Sequence, residues 1–233
     1  FRFRGDPERF DKGEYIGGKG FEALELEGPD GPFLLVNTHV HARYRIEDSP
    51  LDSAVRTAQL LQVVAYVHGH DGTAVIGGDF NCREQDPELV VFRGLTGATE
   101  LGRSSAFGTL SSTNFYKRHR DAPDKRIDFL FVRPGPGVAW QSSDARLLFS
   151  EPARIRSRDR SLSDHYGFRA ELGWQSGSTA AAAASFVDPE ALKIARSLLD
   201  VGLAEADRRE HAHFGVAGAF VLAAAAAAGL RRH

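Results

Sequence analysis

The residues of this sequence that could do chemistry sit in four short polar motifs, each placed where an apolar run ends. They are N-T-H-V-H at 37–41, G-D-F-N at 78–81, R-I-D-F at 126–129 and L-S-D-H at 162–165. The stretch 73–81, T-A-V-I-G-G-D-F-N, organises the set. Ala74, Val75 and Ile76 read as a buried strand. Gly77 and Gly78 then let the backbone turn sharply. Asp79 and Asn81 follow two residues apart, where the chain leaves the sheet. A carboxylate and a carboxamide so placed can hold a metal ion, a water or a phosphate oxygen. Each motif alone reads equally well as a turn, because Gly, Asp and Asn are the commonest turn residues. A lone histidine or strand aspartate is ordinarily structural. Four such motifs, each where a strand meets a loop, point to a site.

The elements that must position them follow from the patterning. Residues 21–27, F-E-A-L-E-L-E, alternate apolar and acidic as a half-buried strand does, and 33–38 form a second strand after a G-P-D-G turn. The extension of that hairpin places His39 and His41 on one face. Pro50–His68 reads as a helix capped by Ser49 or Asp52, with Val55, Leu60, Leu61, Val63 and Val64 on its apolar face. A short helix over 87–94 starts at a proline. Residues 95–125 lack hydrophobic repeats and read as a long surface loop, a length that usually serves function. Strands are expected over 126–133, within 138–149, and from 163–165 through Leu172, with an arginine-rich loop at 150–163. Adjacent strands with few helices indicate an α+β or layered sandwich.

After Trp174 the composition changes. Residues 175–187 are low-complexity and read as a linker between a domain at 1–174 and a helical tail at 188–233. In the tail, 188–209 form a helix capped by Asp188, with Leu192, Ala195, Leu198 and Leu199 on one face. Residues 214–230 carry no charge and precede Arg231 and Arg232. As a helix they would span about 26 Å, against a hydrocarbon core of about 30 Å. They are a candidate transmembrane segment, the alternative being a buried or self-associating helix.

At 233 residues the chain has room for one full domain with appendages, and 42% hydrophobic with 26% charged residues is ordinary for a soluble protein. The net charge of −2 argues against a dedicated nucleic-acid binder. The single Cys82 excludes an internal disulfide framework and fits a reducing, cytosolic compartment. The chain contains no methionine and opens F-R-F-R, so a fragment of a longer protein is expected.

Taken together, the motifs resemble the carboxyl-terminal half of the endonuclease/exonuclease/phosphatase superfamily, the DNase I-like metallo-phosphodiesterases. Within it, E-Y-I-G-G-K-G, N-T-H-V-H-A-R-Y and R-I-D-F-L followed by L-S-D-H look most like neutral sphingomyelinases. The fungal enzymes that cleave inositol phosphosphingolipids share that branch. The resemblance covers 14–172. It implies an α+β fold: a DNase I-like β-sandwich flanked by helices, its amino-terminal strands missing, followed by a helical tail. The branch carries carboxyl-terminal transmembrane helices, as 214–230 would be.

The resemblance also implies roles. His165 is the general base, and Asp128 hydrogen-bonds it and fixes its tautomer. Asp79 orients the water, Asn81 donates to a phosphate oxygen, and His39 contacts the phosphoryl group or helps the leaving oxygen. Lys19, His41 and Asn114 bind substrate. Asp164 lies near the metal, Mg²⁺, which neutralises charge on phosphate and leaving group. The implied partners are a sphingolipid substrate in a membrane and an anionic phospholipid activator, with no nucleic acid. The expected location is membrane-associated, with the catalytic domain on the cytosolic side.

Two departures stand out. The family's metal-binding asparagine and glutamate have no counterpart before residue 14, and Glu14 with Lys19 replaces the usual aspartate–lysine pair. Two basic loops, Lys117, Arg118, Arg120, Lys125 and Arg126, and Arg154, Arg156, Arg158 and Arg160, should share a rim suited to phosphate or an anionic surface. A nuclease or abasic-site endonuclease of the same superfamily is the alternative enzyme, and a truncated non-catalytic fragment the alternative class. Inositol-phosphate 5-phosphatases fit less well, because D-K-R-I-D-F replaces their Trp-Cys-Asp-Arg signature.

Overall fold

The hairpin expected at 21–38 forms β1 (Gly20–Gly28) and β2 (Gly31–His39), paired antiparallel from Gly20 opposite His39 to Gly28 opposite Gly31. The structure is a computed structural model that describes residues 1, 3, 18–28, 31–43, 49–103, 107–117, 123–176 and 187–208. Glu14, Arg118, Arg120, most of the expected linker and the candidate segment 214–230 lie outside the described residues. Among the described residues, no helix is long and apolar enough to cross a membrane.

Helix α1 (Pro50–His68) carries the chain from β2 to β3 (Thr73–Asp79), which runs parallel to β2 with His39 opposite Asp79. Ser49 is the cap of α1, its hydroxyl accepting the Asp52 N–H at 3.1 Å. Helix α2 (Pro87–Thr96) follows, then β4 (Thr99–Glu100) and β5 (Asp128–Arg133), which pairs antiparallel with both β3 and β4. The resulting sheet has the order β1-β2-β3-β5-β4.

One face of this sheet buries Leu34, Val36, Ala74, Ile76, Phe129 and Phe131 in a single core with Leu60, Val63, Val67, Leu89 and Phe92 of the helices. Phe80 meets Phe92, Phe131 and Phe129 with ring centroids 5.2, 5.3 and 5.9 Å apart. That aromatic anchor fixes the exit from β3. A buried ion pair, Arg56 to Glu88 at 2.8 Å, ties α1 to α2.

The opposite face presents Val75, Leu101 and Val132, with Phe33, Leu35 and Leu130, to a second layer. Strands β6 (Val138–Leu148) and β9 (Gly167–Ser176) pair antiparallel and contribute Trp140, Ala170 and Leu172 to that contact. The architecture is therefore the expected α+β arrangement of layered sheets with helices on the outside, and the second layer has two strands among the described residues.

Three local readings differ. The arginine-rich loop contains a hairpin, β7 (Ala153–Ile155) and β8 (Arg158–Arg160), closed by Arg156 and Ser157 at φ +46° and +64°. Such primed two-residue turns normally recruit Gly or Asn, so the pattern hides it. The last strand begins at Gly167, not at the S-D-H motif. The stretch 95–125 is not simply surface: Leu110 bridges Lys125, and Thr109, Ser111 and Asn114 are buried. Side chain–backbone hydrogen bonds hold this stretch, and they leave no hydrophobic period to read.

Helix α3 (Pro189–Arg208) packs against α1 and α2. Ala191, Ala195 and Leu199 join the main core, and Ala206 joins Leu51 and Val55. A methyl group on Gly202 would lie 2.1 Å from the Ala54 side chain, and one on Gly94 2.6 Å from that of Ala191. The helices approach so closely that these positions admit only glycine without rearrangement.

Candidate active site

The site grows from the end of β3. Gly78 takes φ +138°, and a Cβ there would fall 1.9 Å from the Thr38 carbonyl oxygen. Only glycine permits that approach, which seats His39 beside Asp79. Val40 N–H then donates to the Asp79 carbonyl at 3.1 Å. Asn81 adopts φ +48°, a left-handed conformation that asparagine tolerates. Its backbone N–H donates to Asp79 Oδ1 at 2.8 Å, and its Nδ2 donates to the Val40 carbonyl at 3.0 Å and to Asp79 Oδ2 at 3.1 Å. The Asn81 amide is thus engaged within the protein, holding Asp79.

Antiparallel pairing sets Asp128 opposite Asp79. His165 Nδ1 lies 2.9 Å from Asp128 Oδ2. His39 Nε2 lies 3.3 Å from Asp79 Oδ2 and 2.5 Å from Lys19 Nζ. Lys19, His39, Asp79, Asn81, Asp128 and His165 are therefore joined through direct contacts or strand register at one end of the sheet. Burial, followed by the adjacent Asp128 carboxylate, pushes the Asp79 carboxyl up to about 6. The hydrogen bond to Asp128 is the main cause that pushes the His165 imidazole up to about 9, with the charges of Asp128, Asp79 and Asp164 adding to it and burial opposing.

Asp79, Asp128 and His165 each offer a ligand atom within 4.8 Å of the others. Two carboxylates forced together this way repel, and a divalent cation would relieve that repulsion. The trio fits such an ion. Asp164, expected near the metal, is exposed, accepts a hydrogen bond from Ser163 Oγ at 3.2 Å and is not one of the three.

Two expected substrate contacts are corrected. His41 is 1% exposed: β2 ends at His39, Val40 turns inward, and His41 follows it into the core. There His41 Nε2 lies 3.2 Å from Asp52 Oδ1, and the His41 backbone N–H donates to Gln59 Oε1 at 2.7 Å. Asn114 is 0% exposed; its Nδ2 donates to the Ser163 carbonyl at 2.8 Å and its Oδ1 accepts the Tyr116 N–H at 2.9 Å. Both side chains are buried against protein partners.

The basic rim is also redrawn. Arg126 is withdrawn from it, bonded to Glu100 and to the Leu101 and Gly102 carbonyls, with its guanidinium 5.1–5.4 Å from the ring centroids of Phe107, Phe129 and Phe168. Arg43 and Arg83, outside the two expected loops, lie near Lys125, with Arg43 paired to Asp86 at 2.7 Å. The Lys125 ammonium is held below its usual range by burial first, then by Arg83, Arg43 and Lys117. The signal was present in the sequence, because both arginines stand two residues beyond a motif residue, His41 or Asn81, rather than in a run. Arg160 packs over Phe115 at 5.9 Å, tying the β7–β8 hairpin to the segment around Asn114.

The Endonuclease/Exonuclease/phosphatase family matches residues 7–165. The chain is 26% identical over 171 residues to a putative neutral sphingomyelinase of Drosophila melanogaster, covering 70% of this chain and 38% of that protein. It is 25% identical over 207 residues to inositol phosphosphingolipids phospholipase C of Schizosaccharomyces pombe, covering 74% of this chain and 47% of that one. The chain thus spans less than half the length of these curated relatives. The crystal structure of SmcL superposes with a TM-score of 0.55 at 18% identity, covering 72% of this chain and 62% of that one. That likeness is one of fold.

Proposed function

Because the chain belongs to the endonuclease/exonuclease/phosphatase family, we propose that the full-length protein hydrolyses a phosphodiester, and that the bond lies in a sphingolipid. The observation that carries the chemistry is the His165–Asp128 hydrogen bond, set on the strand beside Asp79. With Nδ1–H donated to Asp128, Nε2 keeps its lone pair and takes the proton of a water attacking phosphorus. Asp128 then stabilises the imidazolium. Asp79, held by Asn81, orients that water. Lys19 and His39 offset the phosphate charge, and His39 is placed to return a proton to the leaving ceramide oxygen. The phosphorylated headgroup and ceramide are released.

The Asp79 and Asp128 carboxylates would hold a divalent cation, Mg²⁺ by its preference for oxygen ligands. When bound, it supplies a Lewis acid that neutralises charge on the phosphate and leaving oxygen. Protons compete with the cation for Asp79, whose carboxyl ionises near pH 6. Mg²⁺ affinity measured by calorimetry is therefore expected to rise as pH increases through about 6. A flat profile between pH 5 and 8 would remove Asp79 from the ligand set.

Three observations favour a lipid. Both named relatives act on sphingolipids by their descriptions. Four cations, Arg43, Arg83, Lys117 and Lys125, lie near one another, with Arg43 paired to Asp86 at 2.7 Å and Lys117 to Asp124 at 3.6 Å. Exposed Phe149, Ile155 and Leu162 stand among the arginines of the β7–β8 region, an amphipathic surface suited to an anionic bilayer. The test is release of headgroup and ceramide from vesicles of sphingomyelin or inositol phosphosphingolipid, with Lys19→Ala lowering it. Ready cleavage of abasic DNA with both lipids intact would overturn the lipid assignment and spare the fold.

A further inference from the structure

His165 and Asp128 come from segments 37 positions apart, and the strand pairing that aligns Asp79 with Asp128 does not include His165. Something else must set the distance within this pair. The segment 109–116, between them in space, does so by backbone capture on both sides. The Thr109 hydroxyl accepts the Ile127 and Asp128 N–H groups, each at 3.3 Å. The Thr109 carbonyl accepts the Tyr166 N–H at 2.8 Å, one residue beyond His165. One fully buried residue thus holds the main chain at both members of the pair.

Asn114 completes the capture. It donates to the Ser163 carbonyl at 2.8 Å, and the neighbouring Phe115 N–H donates to Ser161 Oγ at 3.1 Å. Thr113 and Tyr166 hydroxyls meet at 3.0 Å, and Ser111 Oγ donates to Asp124 Oδ2 at 2.7 Å, closing the segment on the approach to β5. The turn 163–165 has no ladder of its own, since β9 begins only at Gly167.

We propose that Thr109 and Asn114 are positioning residues, which clasp the backbone flanking Asp128 and His165 and so set the hydrogen bond between them. This rests on the catalytic reading of that pair. Neither residue touches substrate. Removing either clasp lets the imidazole drift, and misplacement on the order of 1 Å can cost about 10²-fold in rate.

Thr109→Val keeps the shape and removes the acceptor, while Thr109→Ser keeps the hydroxyl. Asn114→Asp keeps the acceptor for Tyr116 and loses the donor to Ser163. In the full-length protein, Thr109→Val and Asn114→Asp are expected to lower kcat roughly ten- to a hundredfold with KM little changed. Thr109→Ser should restore most of the rate. The Nδ1 proton resonance of His165, read in the same proteins, should weaken in the first two variants and persist in Thr109→Ser. A raised KM at unchanged kcat for Asn114→Asp would make it a substrate contact and overturn the proposal. So would an unchanged His165 resonance in folded Thr109→Val and Asn114→Asp. If His165→Ala proved fully active, the catalytic reading would fail, and the resonance would still report on the clasp.

Discussion

Replacing His165 with alanine is expected to lower kcat for phosphodiester hydrolysis by the full-length protein roughly 10²- to 10⁴-fold, the range a positioned general base supplies. The expectation rests on the proposed base role: Nδ1 lies 2.9 Å from Asp128 Oδ2, which leaves Nε2 for the water. Substrate binding should change little, because Lys19 and His39, not this imidazole, are the groups proposed to offset the phosphate charge. The imidazole is pushed up to about 9 chiefly by the Asp128 hydrogen bond, so near neutral pH the ion-free site holds it protonated. A general base must lose that proton before it can accept another. The rate is therefore expected to rise with pH toward that value, and a cation placed at the carboxylates should shift the rise downward. Steady-state kinetics across pH, on wild type and His165→Ala, check both statements. Activity of the variant within tenfold of wild type would end the assignment.

Gly78→Ala is expected to cost about 4 kcal/mol or more, among the largest effects of a single substitution. Two penalties combine. A non-glycine residue at φ +138° is strained by about 1–3 kcal/mol. The added methyl would also lie 1.9 Å from the Thr38 carbonyl oxygen, which is backbone and can yield only if β2 and β3 part. Gly77 provides the control. A methyl there meets Leu130 Cδ2 at 2.5 Å, a side chain that can rotate, and Gly77 has no positive φ. Its substitution is expected to cost about 1–2 kcal/mol. Denaturant melts of the two variants compare them directly, and equal stabilities would refute the steric account. Any folded Gly78→Ala should also lose the His39–Asp79 contact.

The parts of this protein governed by local rules were legible in the sequence. Pro50–His68 carries its own cap, proline and apolar face, and it forms over those residues. The alternation in 21–27 marks β1, whereas Gly77 and Gly78, expected to break the strand, lie within β3, which stays paired on both sides as far as Asp79. His39, Asp79, Asn81, Asp128 and His165 were legible because each ends or interrupts an apolar run. What escaped depends on partners distant in sequence. His41 could be placed only once Asp52 and Gln59 were known to stand opposite it. Arg126 looked like rim charge until three rings and Glu100 enclosed it. The stretch containing Thr109 and Asn114 is stabilised by polar groups bonded to main chain, an organisation with no periodicity.

The seating of α3 on α1 and α2 bears on how the whole molecule responds to change. Both ends of the connection from β9 to α3 are anchored, so α3 behaves as an intramolecular ligand rather than a free arm. Its occupancy is set by an effective concentration, millimolar for short connections, and does not depend on protein dilution. Lengthening the connection twofold would cost only about 0.6 kcal/mol. Cutting it would convert the same contact into a bimolecular one, governed by the amount of protein present. The glycine–alanine seams at Gly94–Ala191 and Gly202–Ala54 are then what decides whether the severed helix stays. They tolerate no added methyl, so the seat is selective for this helix in this register.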